Sequence, residues 1–166
     1  MLAAGTGRTD ITPPIGIAHA GWGAQSHEGA EGIDMPLTIT ALVIESSGNT
    51  TASERIAILD IDTCMLVDAY DIVIRRAVNE ATGIPHSNQR IAYTHTHSGP
   101  IEGLSWIAQG SEMIKPWFDS MGPASAKAVE EAISKLTDVR VDSGAGHCEI
   151  NINRRPVSHN GKVFTG

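Results

Sequence analysis

The chain has 166 residues, 41% of them hydrophobic, which is enough for one ordinary domain with a real core and too apolar for a disordered segment. Its formal net charge of -7 argues against a general nucleic-acid binder, which needs a basic face, and disfavours simple electrostatic docking on anionic membranes. No run approaches the ~18 apolar residues of a membrane span.

Aromatics are only 4%, so aliphatic side chains must fill most of the core. The opening Met1-Leu2-Ala3-Ala4-Gly5 is too short for a signal peptide. The expectation is a chain that stays in the cytoplasm or one whose leader lies outside these residues. Cys64 and Cys148 could pair in an oxidising space, but two buried thiols are the simpler reading.

Residues 1 to 36 are rich in Gly, Pro, Thr and His and show little periodicity, so they read as a long functional loop. Thr12-Pro13-Pro14-Ile15-Gly16 predicts a turn or extended stretch, and Gly21-Trp22-Gly23 a loop with unusual backbone angles. Leu37 to Glu45 reads as a strand, closed by the turn Ser46-Ser47-Gly48-Asn49. Arg55 to Thr63 is a second strand whose near-continuous apolar character fits coverage on both faces.

Leu66, Tyr70, Val73, Ile74, Ala77, Val78 and Ala81 recur at helical spacing, and Gly83 with Pro85 supplies a stop. Arg90 to Thr94 is the next strand. Pro123 to Leu136 reads as a second helix, with Ala128, Ala132, Ile133 and Leu136 inward. Val139 to Ile152 reads as strand-rich, interrupted at Gly144-Ala145-Gly146. Strand-helix-strand order predicts an α/β fold: one domain over residues 1–166, a mixed sheet with helices packed on it.

The stretch that points to chemistry is Tyr93-Thr94-His95-Thr96-His97-Ser98-Gly99-Pro100. Two histidines two residues apart at the carboxyl end of a strand would project to one face. Neutral imidazole is a ready zinc ligand and general base, though a catalytic zinc needs three protein donors and an open position. Asp60 and Asp62 end the preceding apolar strand, and one of them could complete the set or orient an imidazole. The competing reading has them capping the next helix or facing solvent. His19 and His27 could face the same pocket from the amino-terminal loop, although loop histidines are more often solvated. His86 is expected to be exposed, and nothing in the spacing of His147 or His159 marks a site.

Of the neighbouring Arg154 and Arg155, only one should enter a given site, where a guanidinium could hold an oxyanion. Ser98 lacks a Gly-x-Ser-x-Gly elbow, which argues against a serine nucleophile. Gly5-Thr6-Gly7-Arg8 lacks the surroundings of a dinucleotide loop.

Taken in order, Gly7-Arg8-Thr9-Asp10-Ile11-Thr12, Gly32-Ile33 through Leu37 to Ile44, Thr82-Gly83-Ile84-Pro85, the histidine signature and Asn151-Ile152-Asn153-Arg154 with Pro156 resemble the amino-terminal part of the neutral/alkaline non-lysosomal ceramidases. That resemblance implies a zinc-dependent hydrolase of sphingolipid metabolism, an amidase that splits the N-acyl bond of ceramide or a related amide. It implies His95 as a zinc ligand, His97 beside the metal as a catalytic contact to water or substrate, and Arg154 as a catalytic holder of the polar head or developing oxyanion. It also implies further zinc ligands, a histidine, a glutamate and a tyrosine, downstream of the arginine motif. The chain is therefore expected to be an incomplete part of a larger catalytic domain, binding zinc weakly and turning over little alone, its partner a missing carboxyl-terminal portion. Family members are often secreted. The alternative is a non-catalytic α/β domain or subunit that keeps the histidine pair for packing or weak metal binding.

Overall fold

The computed structural model describes residues 1–19, 26–48, 50–102, 109–150 and 155–163. Five strands, β1 (Leu2–Asp10), β2 (Thr38–Ser46), β3 (Ile56–Ile61), β4 (Gln89–Tyr93) and β5 (Thr137–Val139), form one sheet in the order β4-β3-β2-β1-β5. The helices are α1 (Asp68–Thr82), α2 (Ile114–Asp119) and α3 (Met121–Ser134). Only β3 and β4 run parallel; the other neighbours are antiparallel. The mixed α/β architecture expected from element order is the one observed.

Each element follows from local chemistry. Helix α1 carries Asp68 and Asp71 in its first turn, where carboxylates complement the helix dipole. It ends at Gly83, whose φ of 73° and N–H bond to the Asn79 carbonyl make a left-handed cap. This is the stop that Gly83 and Pro85 predict. The crossover through α1 is what permits parallel β3 and β4, since parallel neighbours cannot be joined by a hairpin. Helix α3 lies on β1 and β2 and packs against α1. Between the layers sit Ile39, Ala41 and Val43 of β2, Ala57, Leu59 and Ile61 of β3, Ile74 and Val78 of α1, and Val129 of α3.

Coverage of β3 on both faces does not hold among the described residues. Ala57, Leu59 and Ile61 are buried under the helices, whereas Ile56 and Asp60 on the other face are exposed and Ile58 is half-buried. The apolar run reflects a second face that is aliphatic but open. The strand-rich expectation for Val139 to Ile152 is also corrected. Only Thr137–Val139 pairs, with Leu2–Ala4 at the sheet edge, and residues 140–150 form neither strand nor helix. Val141 and Ile150 are 70% and 90% exposed, so the apolar alternation there packs against nothing described.

Strand β1 is the element the loop reading of residues 1 to 36 missed. Its inward positions are Ala3, Gly5 and Gly7, so it carries no hydrophobic alternation. The glycines let a strand and a helix backbone approach closely. A Cβ at Gly5 would stand 2.1 Å from the Ala132 carbonyl oxygen, and one at Gly7 would stand 2.0 Å from that of Ala128. The facing helix residues, Ala128 and Ala132, are themselves fully buried and small. Helix α2, also unforeseen, is anchored where Trp117 Nε1 donates to the Ile11 carbonyl at 2.6 Å.

Because backbone atoms cannot swing aside, Gly7→Val should lower unfolding stability in urea by about 3 kcal/mol or more. Gly144→Ala, where a new Cβ meets nothing within 4 Å, should change it by less than about 0.5 kcal/mol.

Candidate metal centre at the ends of two parallel strands

The parallel register pairs Ile61 with Tyr93, and the pairing continues beyond both strands. Thr94 N–H donates to the Ile61 carbonyl and His95 N–H to the Thr63 carbonyl, each at 3.1 Å. Residues 62–64 therefore run beside residues 94–97 at the carboxyl ends, the usual place for a site in an α/β sheet. A polar anchor holds β4 to α1 immediately before the histidines. Arg75 Nε donates to Asp71 Oδ2 at 2.6 Å and Arg75 Nη1 to the Gln89 carbonyl at 2.6 Å, while Tyr93 donates its hydroxyl proton to Asp71 Oδ1 at 3.0 Å. Burial, and then the Asp71 carboxylate, push the Tyr93 phenol well above its ordinary range.

His95 has φ of 58°, the single non-glycine residue in the left-handed region among those described. Strain of this kind persists only where the surroundings over-determine it, and it concentrates at functional sites. Here the His95 N–H bond to Thr63 and a second bond hold it: ring Nδ1–H donates to the Cys64 carbonyl at 2.8 Å. A carbonyl can only accept, so the bond selects the tautomer with its lone pair on Nε2. The Cys64 thiol sulfur also lies 3.7 Å from His95 Nδ1. The His97 ring meets that of His95 edge to face, centroids 5.0 Å apart. One donor atom from each of Cys64, His95 and His97 falls within 4.8 Å of the other two.

The histidines do converge, but not by strand alternation. Strand β4 ends at Tyr93, and the two rings are brought together by the turn built on the left-handed His95. Asp60 and Asp62 are not part of the convergent group. Asp60 is exposed on the open sheet face, while Asp62 Oδ2 accepts from the Thr38 N–H at 2.8 Å and from its hydroxyl at 3.1 Å. Cys64 stands where a carboxylate was expected. The signal for it was available: if the strands before Cys64 and His95 are parallel neighbours, their carboxyl ends must adjoin. Two imidazoles and a thiol are nitrogen and sulfur donors of the kind zinc takes, so the residues present fit that metal.

Beside the histidines lies a cleft of about 480 Å³, lined by residues of the 12–19 and 30–37 segments, by Asp62, and by Thr96, Ser98, Gly99 and Pro100. His19 lines it too, and donates from Nε2 to the His97 carbonyl at 2.9 Å. A solvated side chain is the favoured expectation for His19, and its place in the cleft wall departs from it. His27 is exposed, its ring 5.6 Å from that of His19. Ile15, Ile33 and Met35, 60%, 54% and 73% exposed, give the cleft an apolar rim. His86, His147 and His159 are exposed, and His147 Nε2 lies 3.2 Å from a Glu149 carboxylate oxygen. Arg154 lies outside the described residues, and Arg155 is exposed. The cysteines are unpaired; Cys64 is buried and Cys148, against expectation, is exposed.

The family model for neutral/alkaline non-lysosomal ceramidase, N-terminal, matches residues 2–162. Neutral ceramidase A of Dictyostelium discoideum is 28% identical over 163 residues, an alignment that takes in 93% of this chain and 22% of that protein. The crystal structure of neutral ceramidase from Pseudomonas aeruginosa superposes with a TM-score of 0.65 at 22% identity, over 81% of this chain and 22% of the other. A ceramidase complexed with C2 superposes with a TM-score of 0.62 at 25% identity, over 81% and 21%. The chain thus spans about a fifth of the length of these relatives.

Two substitutions probe how the turn is held. His95→Gly and His95→Ala both delete the ring, but only alanine keeps the left-handed penalty, so the glycine variant should be more stable to urea by about 1 kcal/mol. Tyr93→Phe removes one hydrogen bond from the Asp71 anchor and should cost about 1 kcal/mol in the same assay.

Proposed function

The chain belongs to the neutral/alkaline non-lysosomal ceramidase family, and we propose that it carries part of a zinc-dependent amidase site that hydrolyses the N-acyl bond of ceramide or a related amide. The observation that carries this reading is the state of His95. Its Nδ1–H is committed to the Cys64 carbonyl, which leaves Nε2 as a fixed donor in the turn that borders an apolar-rimmed cleft.

In this reading His95 Nε2 is a zinc ligand. Zinc, when bound, would lower the pKa of a water toward neutrality and polarise the amide carbonyl. The His97 imidazole, in contact with the His95 ring, holds or passes a proton at a ring nitrogen next to the reacting water or amide. The His19 bond to the His97 carbonyl fixes the backbone that carries this group. Arg154 receives the polar head or the developing oxyanion, a role that rests on the sequence motif alone. The cleft walls of Ile15, Ile17, Ile33 and Leu37 exclude water and suit the alkyl part of a lipid amide. No helix among the described residues is long and apolar enough to cross a membrane.

Fatty-acid release from a short-chain N-acylsphingosine, measured on the protein carrying this chain, tests the proposal. Chelation should abolish release and zinc should restore it. His95→Ala should reduce release to background, and Arg154→Ala should lower kcat by about 10²–10³. Activity indifferent to chelator and to His95→Ala would overturn the zinc reading. A protein with no amidase activity at any zinc level would favour a non-catalytic α/β unit instead.

A further inference from the structure

Resting on the reading of the cleft as the seat of a lipid amide, we propose that the Asp62 carboxylate determines specificity, accepting a hydrogen bond from a hydroxyl group on the polar head of the substrate.

Asp62 lies just past the end of β3, is half-buried and lines the cleft. It is not one of the groups that converge with the histidines, and Thr38 fixes it through backbone and side chain alike. Its N–H donates to the Thr38 carbonyl at 3.0 Å, while its Oδ2 accepts from the Thr38 N–H at 2.8 Å and from the Thr38 hydroxyl at 3.1 Å. A carboxylate has about four acceptor positions on its two oxygens. Oδ1 accepts no hydrogen bond among the described residues, and it is not sealed in the core. One oxygen of a firmly held carboxylate is thus left for a partner from outside the protein.

The rest of the cleft defines that partner. Its lining is mostly apolar and, among the described residues, holds no lysine or arginine, so nothing there balances an anionic head. The Thr12 and Thr96 hydroxyl oxygens already accept from the Leu37 and Ser98 N–H groups. Asp34, the other carboxylate of the lining, is exposed, where water competes for it. An ionised carboxylate can only accept, so the group it recognises must bring a proton to share. The amide itself has to reach the histidines, which leaves a head-group hydroxyl as the donor at Asp62. Such a bond is charge-assisted, and apolar surroundings strengthen it. Arginine can only donate, so Arg154 and Asp62 hold different parts of a head. A substrate without the hydroxyl leaves Oδ1 unpaired in the closed cleft, and sites built around a hydroxyl discriminate strongly against its loss.

The test compares a short-chain N-acyl aminodiol with analogues in which either hydroxyl is replaced by hydrogen, on the protein carrying this chain. The unaltered protein should cleave the diol with kcat/KM about 10- to 100-fold above that of one deoxy analogue, mostly through KM. Asp62→Ala should bring that ratio to within about twofold, by losing diol activity and leaving the poorer analogue nearly unchanged. Asp62→Asn keeps an oxygen for Thr38, and so the fold, yet should also shrink the ratio because the charge is gone. Asp60→Asn, on the open face of the sheet, should leave the ratio as it is. A ratio near one in the unaltered protein, a ratio unchanged by both Asp62 variants, or a loss in them that falls equally on all substrates would each overturn the proposal, the last marking a purely structural role. Calorimetric binding of the same compounds separates this inference from the amidase reading. Should nothing be hydrolysed, hydroxyl-dependent binding that is lost in Asp62→Ala and weakened in Asp62→Asn retains the subsite and rejects the amidase alone. Binding without that dependence, or no binding, rejects the subsite as well.

Discussion

The parallel pairing of β3 with β4 is the constraint on which the site rests. Two strands that run the same way finish at the same edge, so whatever follows them must adjoin. Here the pairing outlasts both strands by two backbone hydrogen bonds, from Thr94 and His95 to Ile61 and Thr63. Those bonds place Cys64 against a histidine 31 positions away in sequence. The pair is possible because α1 makes the crossover, and it is tied down by the Arg75–Asp71–Tyr93 anchor between helix and strand. The chemistry therefore inherits its geometry from secondary structure rather than from the loops around it.

A second constraint acts at the other end of the sheet. Gly5 and Gly7 bring α3 down onto β1 until backbone nearly touches backbone. Because α3 also packs on α1, this contact sets the height of the helical layer over the strands that lead into the site. The segment that looks least structured in sequence is thus one of the most constrained in space.

These two contacts explain what could be read from the residues and what could not. Strands β2, β3 and β4 and helices α1 and α3 are visible because aliphatic side chains repeat at strand or helix spacing and Gly83 ends α1 by a specific backbone conformation. Strand β1 is hidden because a glycine face leaves no hydrophobic signature. The run after Val139 misleads in the opposite sense, since alternation alone does not supply a partner strand. In the site, His95 and His97 are legible as a pair, but the reason they converge is a left-handed turn, not the pleat. The closeness of Cys64 to His95 is not legible from spacing. Its relation to His95 exists only through the crossover, which spans the whole of α1.

The cleft beside the histidines has walls of different origin from the histidines themselves. Cys64 and the two histidines follow the ends of the central parallel strands, while Ile15, Ile33, Met35 and Leu37 come from loops that connect β1 to β2. Insertions, deletions or exchanges in those loops can reshape the greasy wall without shifting the register of the sheet. The shape and greasiness of the cleft wall can therefore vary independently of the strand ends that carry the histidines.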